Sequence, residues 1–333
     1  MYADAPVLEI ENLSVTYDTP KGPLQAVSDV NLSIYPDEIV GLVGESGSGK
    51  STMAYAIMRL LRGAGNVTSG KIKVLGQDIY ALNPKELREF RWDKVSMVFQ
   101  SAMSALNPVL TVEKQIVDTL LSHRPEWSRA EARKRAVELL QLVRISPERL
   151  RSFPHELSGG MRQRVVIAIA IALEPALVIM DEPTTALDVV VQRSILDEIQ
   201  TIQSTARFSV LFISHDFSLV GELAARVALM YAGRVVELTN AETLKFVQGH
   251  HPYTEGLLKA IPRLTAEKVT IEGILGNPPD LVNLPTGCAF HPRCPYVMPE
   301  CRAVRPPLTT VGKSMIACYL FADEMGGKGG RRA

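Results

Sequence analysis

Residues 44–51 read Gly44-Glu45-Ser46-Gly47-Ser48-Gly49-Lys50-Ser51 and fit the phosphate-loop pattern G-x-x-x-x-G-K-S/T. Glycines there let successive backbone N–H groups converge on a polyphosphate at the positive end of the helix that follows. Lys50 would reach the β- and γ-phosphates, and the Ser51 hydroxyl would ligate Mg²⁺, with Thr52 next in line along the nucleotide. A second group, Leu177-Val178-Ile179-Met180-Asp181-Glu182, is an apolar strand that ends in two carboxylates. Asp181 suits Mg²⁺ through water, and Glu182 then stands where it could orient or deprotonate an attacking water. A phosphate loop paired with such a strand points to a nucleoside triphosphatase.

The elements that must position these groups are visible in the hydrophobic pattern. Glu38–Val43 is a short apolar run that enters the loop, and residues 52–61 have helical spacing after it. Ala176–Met180 and Phe208–Ser214 are continuous apolar runs, as expected of strands buried on both faces of a parallel sheet. Val7–Tyr17 and Gln25–Ile34 alternate apolar and polar residues and are expected as strands with one exposed face. Val189–Ser204 has helical spacing, and residues 101–172 are expected to be mostly helical, with Ser128 and Glu131 forming a capping box before a run through Val143. The fold class expected is α/β with a helical insertion.

Composition shifts near residue 236: the first 236 residues hold 11 prolines and the last 97 hold 10. The expected division is a main domain over 1–236, with its helical subdomain at about 101–172, a small irregular module over 237–325, and a disordered tail over 326–333. With 46% hydrophobic and 22% charged residues, the chain can bury a core and is not disordered. A formal net charge of zero argues against a protein whose main task is to neutralise nucleic-acid phosphates. The start lacks a basic stretch followed by an apolar core, so no leader is expected. The most apolar stretch, Val165–Leu173, is far short of the ~20 residues of a membrane span. A cytosolic chain is expected, meeting a membrane only through a partner.

Leu157-Ser158-Gly159-Gly160-Met161-Arg162-Gln163 narrows the reading. Ser158 and two glycines expose N–H groups at a helix N-terminus, a second anion site suited to a γ-phosphate. Here the sequence resembles the ABC ATPases, whose signature is LSGGQ; this chain carries Met161-Arg162-Gln163 after the glycines. The resemblance covers about residues 7–236. It implies a P-loop ABC-type nucleotide-binding domain in which the signature meets ATP held by another subunit, so a dimer. It also implies roles for Gln100 (Mg²⁺ and the link to the helical insertion), Asp188 (the loop crossing the dimer interface), His215 (contact with the γ-phosphate) and Tyr17 (stacking on adenine).

Finer features resemble the ATP-binding subunits of oligopeptide, dipeptide and nickel importers. The loop 100–108 reads QSAMSALNP, near that branch's QDPMTSLNP, and residues 188–196 read DVVVQRSIL. After residue 236 come His251-Pro252-Tyr253-Thr254 and Pro285-Thr286-Gly287-Cys288-Ala289-Phe290-His291-Pro292-Arg293-Cys294-Pro295, then Cys301 and Cys318. All four cysteines lie within 31 residues, spaced Cys-x5-Cys-x6-Cys-x16-Cys. By spacing alone this is a four-cysteine site, and an iron–sulfur cluster, zinc or no metal all remain open. The resemblance points to a 4Fe–4S cluster, expected as a structural staple for a module too small to bury much core.

The resemblance therefore implies an ATPase coupled to transport, the motor of a peptide importer. Its cofactors would be Mg²⁺ and a 4Fe–4S cluster, with ATP as fuel. Its partners would be a second, homologous ATPase subunit, two transmembrane permease subunits and an extracytoplasmic substrate-binding protein. It would sit at the cytoplasmic face of the membrane without nucleic acid. A nickel or other solute importer, a soluble ABC ATPase acting on nucleic acid or ribosomes, and an iron–sulfur sensor with a vestigial ATPase are the competing readings.

Overall fold

A computed structural model describes residues 5–100, 105–185, 187–261 and 273–321. Part of the 100–108 loop, Ala186 and the 326–333 tail lie outside the described residues. The chain opens with β1 (Leu8–Thr19) and β2 (Gly22–Ile34), paired antiparallel. The buried strand β3 (Ile39–Val43) then runs into the phosphate loop and α1 (Lys50–Ile57). Next come β4 (Gly65–Val74), β5 (Gln77–Asp78), α2 (Pro84–Asp93) and β6 (Val95–Val98). The helices α3 (Val112–His123), α4 (Arg129–Leu142) and α5 (Gly159–Ala170) form the insertion. After it the chain alternates through β7 (Leu177–Asp181), α6 (Val189–Ala206), β8 (Ser209–Ser214), α7 (Phe217–Leu223) and β9 (Arg226–Tyr231). It ends with β10 (Arg234–Asn240), α8 (Pro252–Ala260), α9 (Pro299–Ala303) and the hairpin β11 (Thr309–Val311) and β12 (Ser314–Ile316).

Two sheets result. One is antiparallel, in the order β2-β1-β4-β5; the other has the order β11-β12-β10-β9-β3-β8-β7-β6. Within the second, β9, β3, β8, β7 and β6 are parallel, and β10, β12 and β11 continue it antiparallel. The all-apolar strands are explained by their two faces. Leu177 and Ile179 of β7 and Leu211 and Ile213 of β8 join the core that faces α1 and the antiparallel sheet. Val178, Met180, Val210 and Phe212 join the core that faces the helical insertion. Each such buried aliphatic side chain contributes roughly 1.5–3 kcal/mol, so the sheet that carries the site is well anchored on both sides.

Local signals account for most element ends. Ser128 accepts from the Glu131 backbone N–H at 3.2 Å, and Glu131 accepts from the Ser128 N–H at 2.7 Å, the expected capping box of α4. The helix after the loop is shorter than its spacing suggests. It stops at Ile57 because Arg59 takes up φ 51° and its guanidinium donates to the Ile79 and Leu82 carbonyls. β10 straddles residue 236, where the composition shifts, and β12 from the C-terminal region pairs with it. No helix among the described residues is long and apolar enough to cross a membrane.

Candidate functional site

The phosphate loop joins β3 to α1, with Gly49 as the helix N-cap at φ 102°. A Cβ on Gly49 would come within 2.2 Å of the Ala26 carbonyl oxygen, and one on Gly44 within 2.1 Å of that of Met230. Both positions therefore need glycine on grounds of space, and Gly49 also for its left-handed backbone. Lys50 is buried, and its Nζ donates to the carbonyls of Gly44 (2.8 Å) and Glu45 (2.9 Å). Burial pulls its pKa down, while the charges of Glu182, Asp181 and Glu45 oppose the loss of its proton. Ser46 and Gly47 are exposed at the tip of the loop, and Ser48 is buried beneath it.

Asp181 ends β7 with its side chain buried. Its Oδ1 accepts a hydrogen bond from Ser51 Oγ at 3.1 Å, and its Oδ2 has no partner. Burial raises the Asp181 pKa, and the Ser51 hydrogen bond counters it. A hydroxyl beside a carboxylate with an orphaned oxygen is an oxygen donor set that fits Mg²⁺.

Glu182 follows with φ 47°, a left-handed conformation uncommon for a side-chain-bearing residue, and its N–H donates to the Ile213 carbonyl at 2.9 Å. Its carboxylate is held from three sides. Oε2 accepts from Gln100 Nε2 at 2.9 Å and from Thr185 Oγ1 at 3.0 Å, while Oε1 lies 3.2 Å from His215 Nδ1. Burial pushes the Glu182 pKa up, but the Thr185 and His215 hydrogen bonds and nearby positive charge outweigh it, leaving the carboxyl below its ordinary range. It is therefore ionised at neutral pH. Gln100, Glu182 and His215 come from the carboxyl ends of β6, β7 and β8, which are neighbours in the sheet. That edge of a parallel sheet is where ligands bind in open α/β folds.

Other residues singled out in the sequence are not brought to this cluster. Ser158 caps α5 by accepting from the Met161 N–H at 3.3 Å, and Asp188 caps α6 by accepting from the Val191 N–H at 2.9 Å. Both are exposed, and Asp188 is followed by Val189 and Val190, 78% and 79% exposed. Among the described residues, Ser158, Gly159, Gly160 and Asp188 make no hydrogen bond to the phosphate loop. Tyr17 lies half-buried in β1, in register with Gly65 of β4.

Three groups escaped the sequence reading. Thr185, one turn beyond Glu182, supplies one of its hydrogen bonds. Arg293 and Tyr253, from the far end of the chain, bind Glu45 of the phosphate loop. Neither had any local mark of that contact, since partners 208 and 248 positions away leave no trace in a motif.

The four cysteines line one cavity together with His251, Phe290 and His291. None is in a disulfide. Burial pushes the Cys288 thiol up, that of Cys294 to about 11 and that of Cys318 to about 12. Backbone N–H groups of Phe290 and His291 on Cys288, of Tyr296 on Cys294 and of Leu320 on Cys318 act against that rise. The metal-binding character expected of this module is not shown: among the described residues no group of three or more His, Cys, Asp or Glu side chains is placed to hold a metal ion.

Residues 27–185 match the family described as ABC transporter, and residues 236–301 match the oligopeptide/dipeptide transporter C-terminal region. The chain is 43% identical over 327 residues to the oligopeptide transport ATP-binding protein OppD of Escherichia coli (strain K12), covering 97% of this chain and 95% of the relative. It is 43% identical over 323 residues to the oligopeptide transport ATP-binding protein AppD of Bacillus subtilis (strain 168), covering 96% and 98%. In three dimensions it resembles a dimeric, post-hydrolysis ATP-binding cassette bound to ADP and Pi. That match has a TM-score of 0.63 and 30% identity, over 70% of this chain and 98% of that one.

Proposed function

The chain belongs to the ABC transporter family, in the group of oligopeptide and dipeptide transport ATP-binding proteins, and on that footing we propose that it is the ATP-hydrolysing subunit of a peptide importer in which Glu182 acts on the attacking water. The observation that carries the reading is the grip on the Glu182 carboxylate by Gln100, Thr185 and His215 at the sheet edge beside the phosphate loop.

The chemistry follows from these groups. Loop N–H groups other than that of Glu45, which Tyr253 holds, face the phosphates, and Lys50 exchanges its carbonyl partners for phosphate oxygens. Ser51, with Asp181 behind it and Gln100 opposite, would hold Mg²⁺, which when bound neutralises charge on the phosphate oxygens. Ionised Glu182 accepts a hydrogen bond, and then the proton, from the water in line with the γ-phosphate. Gln100 and His215 fix the direction of that carboxylate, and His215 remains exposed enough to reach the γ-phosphate.

Among the described residues, the exposed cap Ser158, with Gly159 and Gly160, and the exposed Asp188 with its two valines make no hydrogen bond to the phosphate loop of their own chain. They suit the ATP site and interface of a second, homologous ATPase subunit, and Tyr17 suits the adenine ring. Two permease subunits and an extracytoplasmic binding protein complete the assembly. This chain would lie on the cytoplasmic face of the membrane, meeting the permeases through the helical insertion near residues 100–121. The two functional units are residues 1–236 and 237–325. For Cys288, Cys294, Cys301 and Cys318, which line one cavity, the proposed ligand is a 4Fe–4S cluster that staples the second unit, a reading that rests on the thiolate chemistry of the four side chains and not on their placement.

The test is Glu182→Gln in the complex with its permease subunits. Loss of ATP turnover with ATP binding retained supports the role; turnover at the wild-type level rules it out.

A further inference from the structure

Glu45, the second residue of the phosphate loop, is held by the C-terminal region at both its side chain and its backbone. Arg293 Nη1 and Nη2 donate to Glu45 Oε2 and Oε1 at 2.7 and 3.0 Å, a two-pronged fork. The Glu45 N–H donates to Tyr253 Oη at 2.8 Å, and its carbonyl accepts from Lys50 Nζ at 2.9 Å. The Arg293 side chain is only 6% exposed. Its Nε donates to the Leu275 carbonyl at 3.0 Å, and its guanidinium carbon lies 5.9 Å from the ring centres of Tyr231 and Phe290. Tyr253 is fully buried, its ring 4.8 Å from that of Tyr231. Neither side chain has freedom to follow the loop if the loop moves.

Of all the loop's residues, Glu45 therefore has its N–H, its C=O and its carboxylate each assigned to a different partner. The N–H is held by the Tyr253 hydroxyl, which fixes the peptide plane between Gly44 and Glu45. We propose that Arg293 and Tyr253 are positioning residues for ATP, holding Glu45 so that the phosphate loop keeps its binding shape and making nucleotide affinity depend on the C-terminal region. Arg293 immediately precedes Cys294, so the arrangement of the cysteine cavity is one peptide away from the clamp. The proposal rests on ATP as the ligand of the loop. A purely structural staple would look the same in a static picture but would lower the melting temperature without changing affinity in the folded fraction.

The experiment uses the full chain in its complex, with Mg-ATP titrated calorimetrically and turnover measured over a range of ATP. Arg293→Gln is expected to raise both Kd and KM for ATP roughly tenfold, the size of effect a close charged pair carries, with kcat at saturating ATP within about twofold. Arg293→Lys keeps the charge but not the fork and should fall between. Tyr253→Phe should shift KM in the same direction by a smaller factor. The double variant Arg293→Gln/Glu45→Gln should bind no more weakly than the worse single variant. If Arg293→Gln does not fold, Glu45→Gln alone, which leaves the C-terminal region intact, gives the same reading. Variants that bind ATP with wild-type Kd, or a double variant whose loss is the product of the two singles, overturn the clamp. A wild-type complex that binds no ATP overturns the ATPase reading itself, and the clamp with it.

Discussion

Ser51 and Asp181, 130 positions apart, meet at 3.1 Å across the gap between the phosphate loop and the end of β7, leaving the second Asp181 oxygen buried without a partner. A buried carboxylate with an orphaned oxygen costs stability in the free protein. Asp181→Asn should therefore leave the nucleotide-free melting temperature unchanged or raise it. Mg²⁺-dependent turnover should fall on the order of a hundredfold, as befits loss of a group that orders the metal. Thermal unfolding without nucleotide, beside phosphate release with Mg-ATP, reads both. A variant destabilised by several degrees would show that the carboxylate is there for the fold.

His215 reaches Glu182 from a position 61% exposed, so little of the fold depends on it. His215→Ala should lower kcat by about 10- to 100-fold, with KM for ATP changed by less than about threefold. Its melting temperature should stay within about two degrees of wild type. Steady-state kinetics at several ATP concentrations separates the two parameters. A change confined to KM would place His215 in ground-state binding and not in the hydrolytic step.

The fully buried Glu237 of β10 accepts from His250 Nδ1 at 2.5 Å, from the His251 N–H at 2.9 Å and from Thr254 Oγ1 at 2.6 Å. Burial works against a charged His250. Its hydrogen bond to Glu237, aided by the charges of Glu237 and Glu255, outweighs this and holds its pKa above the ordinary 6.5. The folded state thus keeps a proton that the unfolded chain releases above pH 6.5. The pair's contribution is complete below that pH and lost as pH rises through the raised folded value, with a slope of at most about 1.4 kcal/mol per pH unit. The margin in melting temperature of wild type over His250→Gln should shrink from pH 6 to pH 9. Parallel curves for the two proteins would contradict it.

The cysteine cavity makes a compositional prediction. Protein purified without oxygen should carry iron and acid-labile sulfide at about four of each per chain and absorb visible light. Cys301→Ser should lose both and lower the melting temperature of the C-terminal region. Stoichiometric zinc in a colourless protein would contradict the cluster.

Much of the candidate site was legible because its motifs are local. The loop 44–51 and the pair Asp181 and Glu182 each occupy consecutive residues, and β3, β7 and β8 announce themselves as short apolar runs because both of their faces are covered. β4 was not legible, since half of its residues are exposed and its glycines break any alternation. β6 spans four residues, too few for a period to be counted. The grip of Arg293 and Tyr253 on Glu45 had no local signal at all. It exists because β10 and β12 carry the C-terminal region back against the sheet, a consequence of topology and not of spacing. Arg293 stood in plain view beside Cys294, and His251 and Tyr253 in the run 251–254, but only the folded chain shows what they touch.

The most direct test of the whole account is ATP-driven peptide uptake into vesicles that contain the assembled complex, with phosphate release followed in the same sample. Wild-type complex should release phosphate and accumulate peptide together, and Glu182→Gln should bind Mg-ATP with near-wild-type affinity while both activities fall at least about a hundredfold. Undiminished phosphate release and uptake by the Glu182→Gln complex would contradict it.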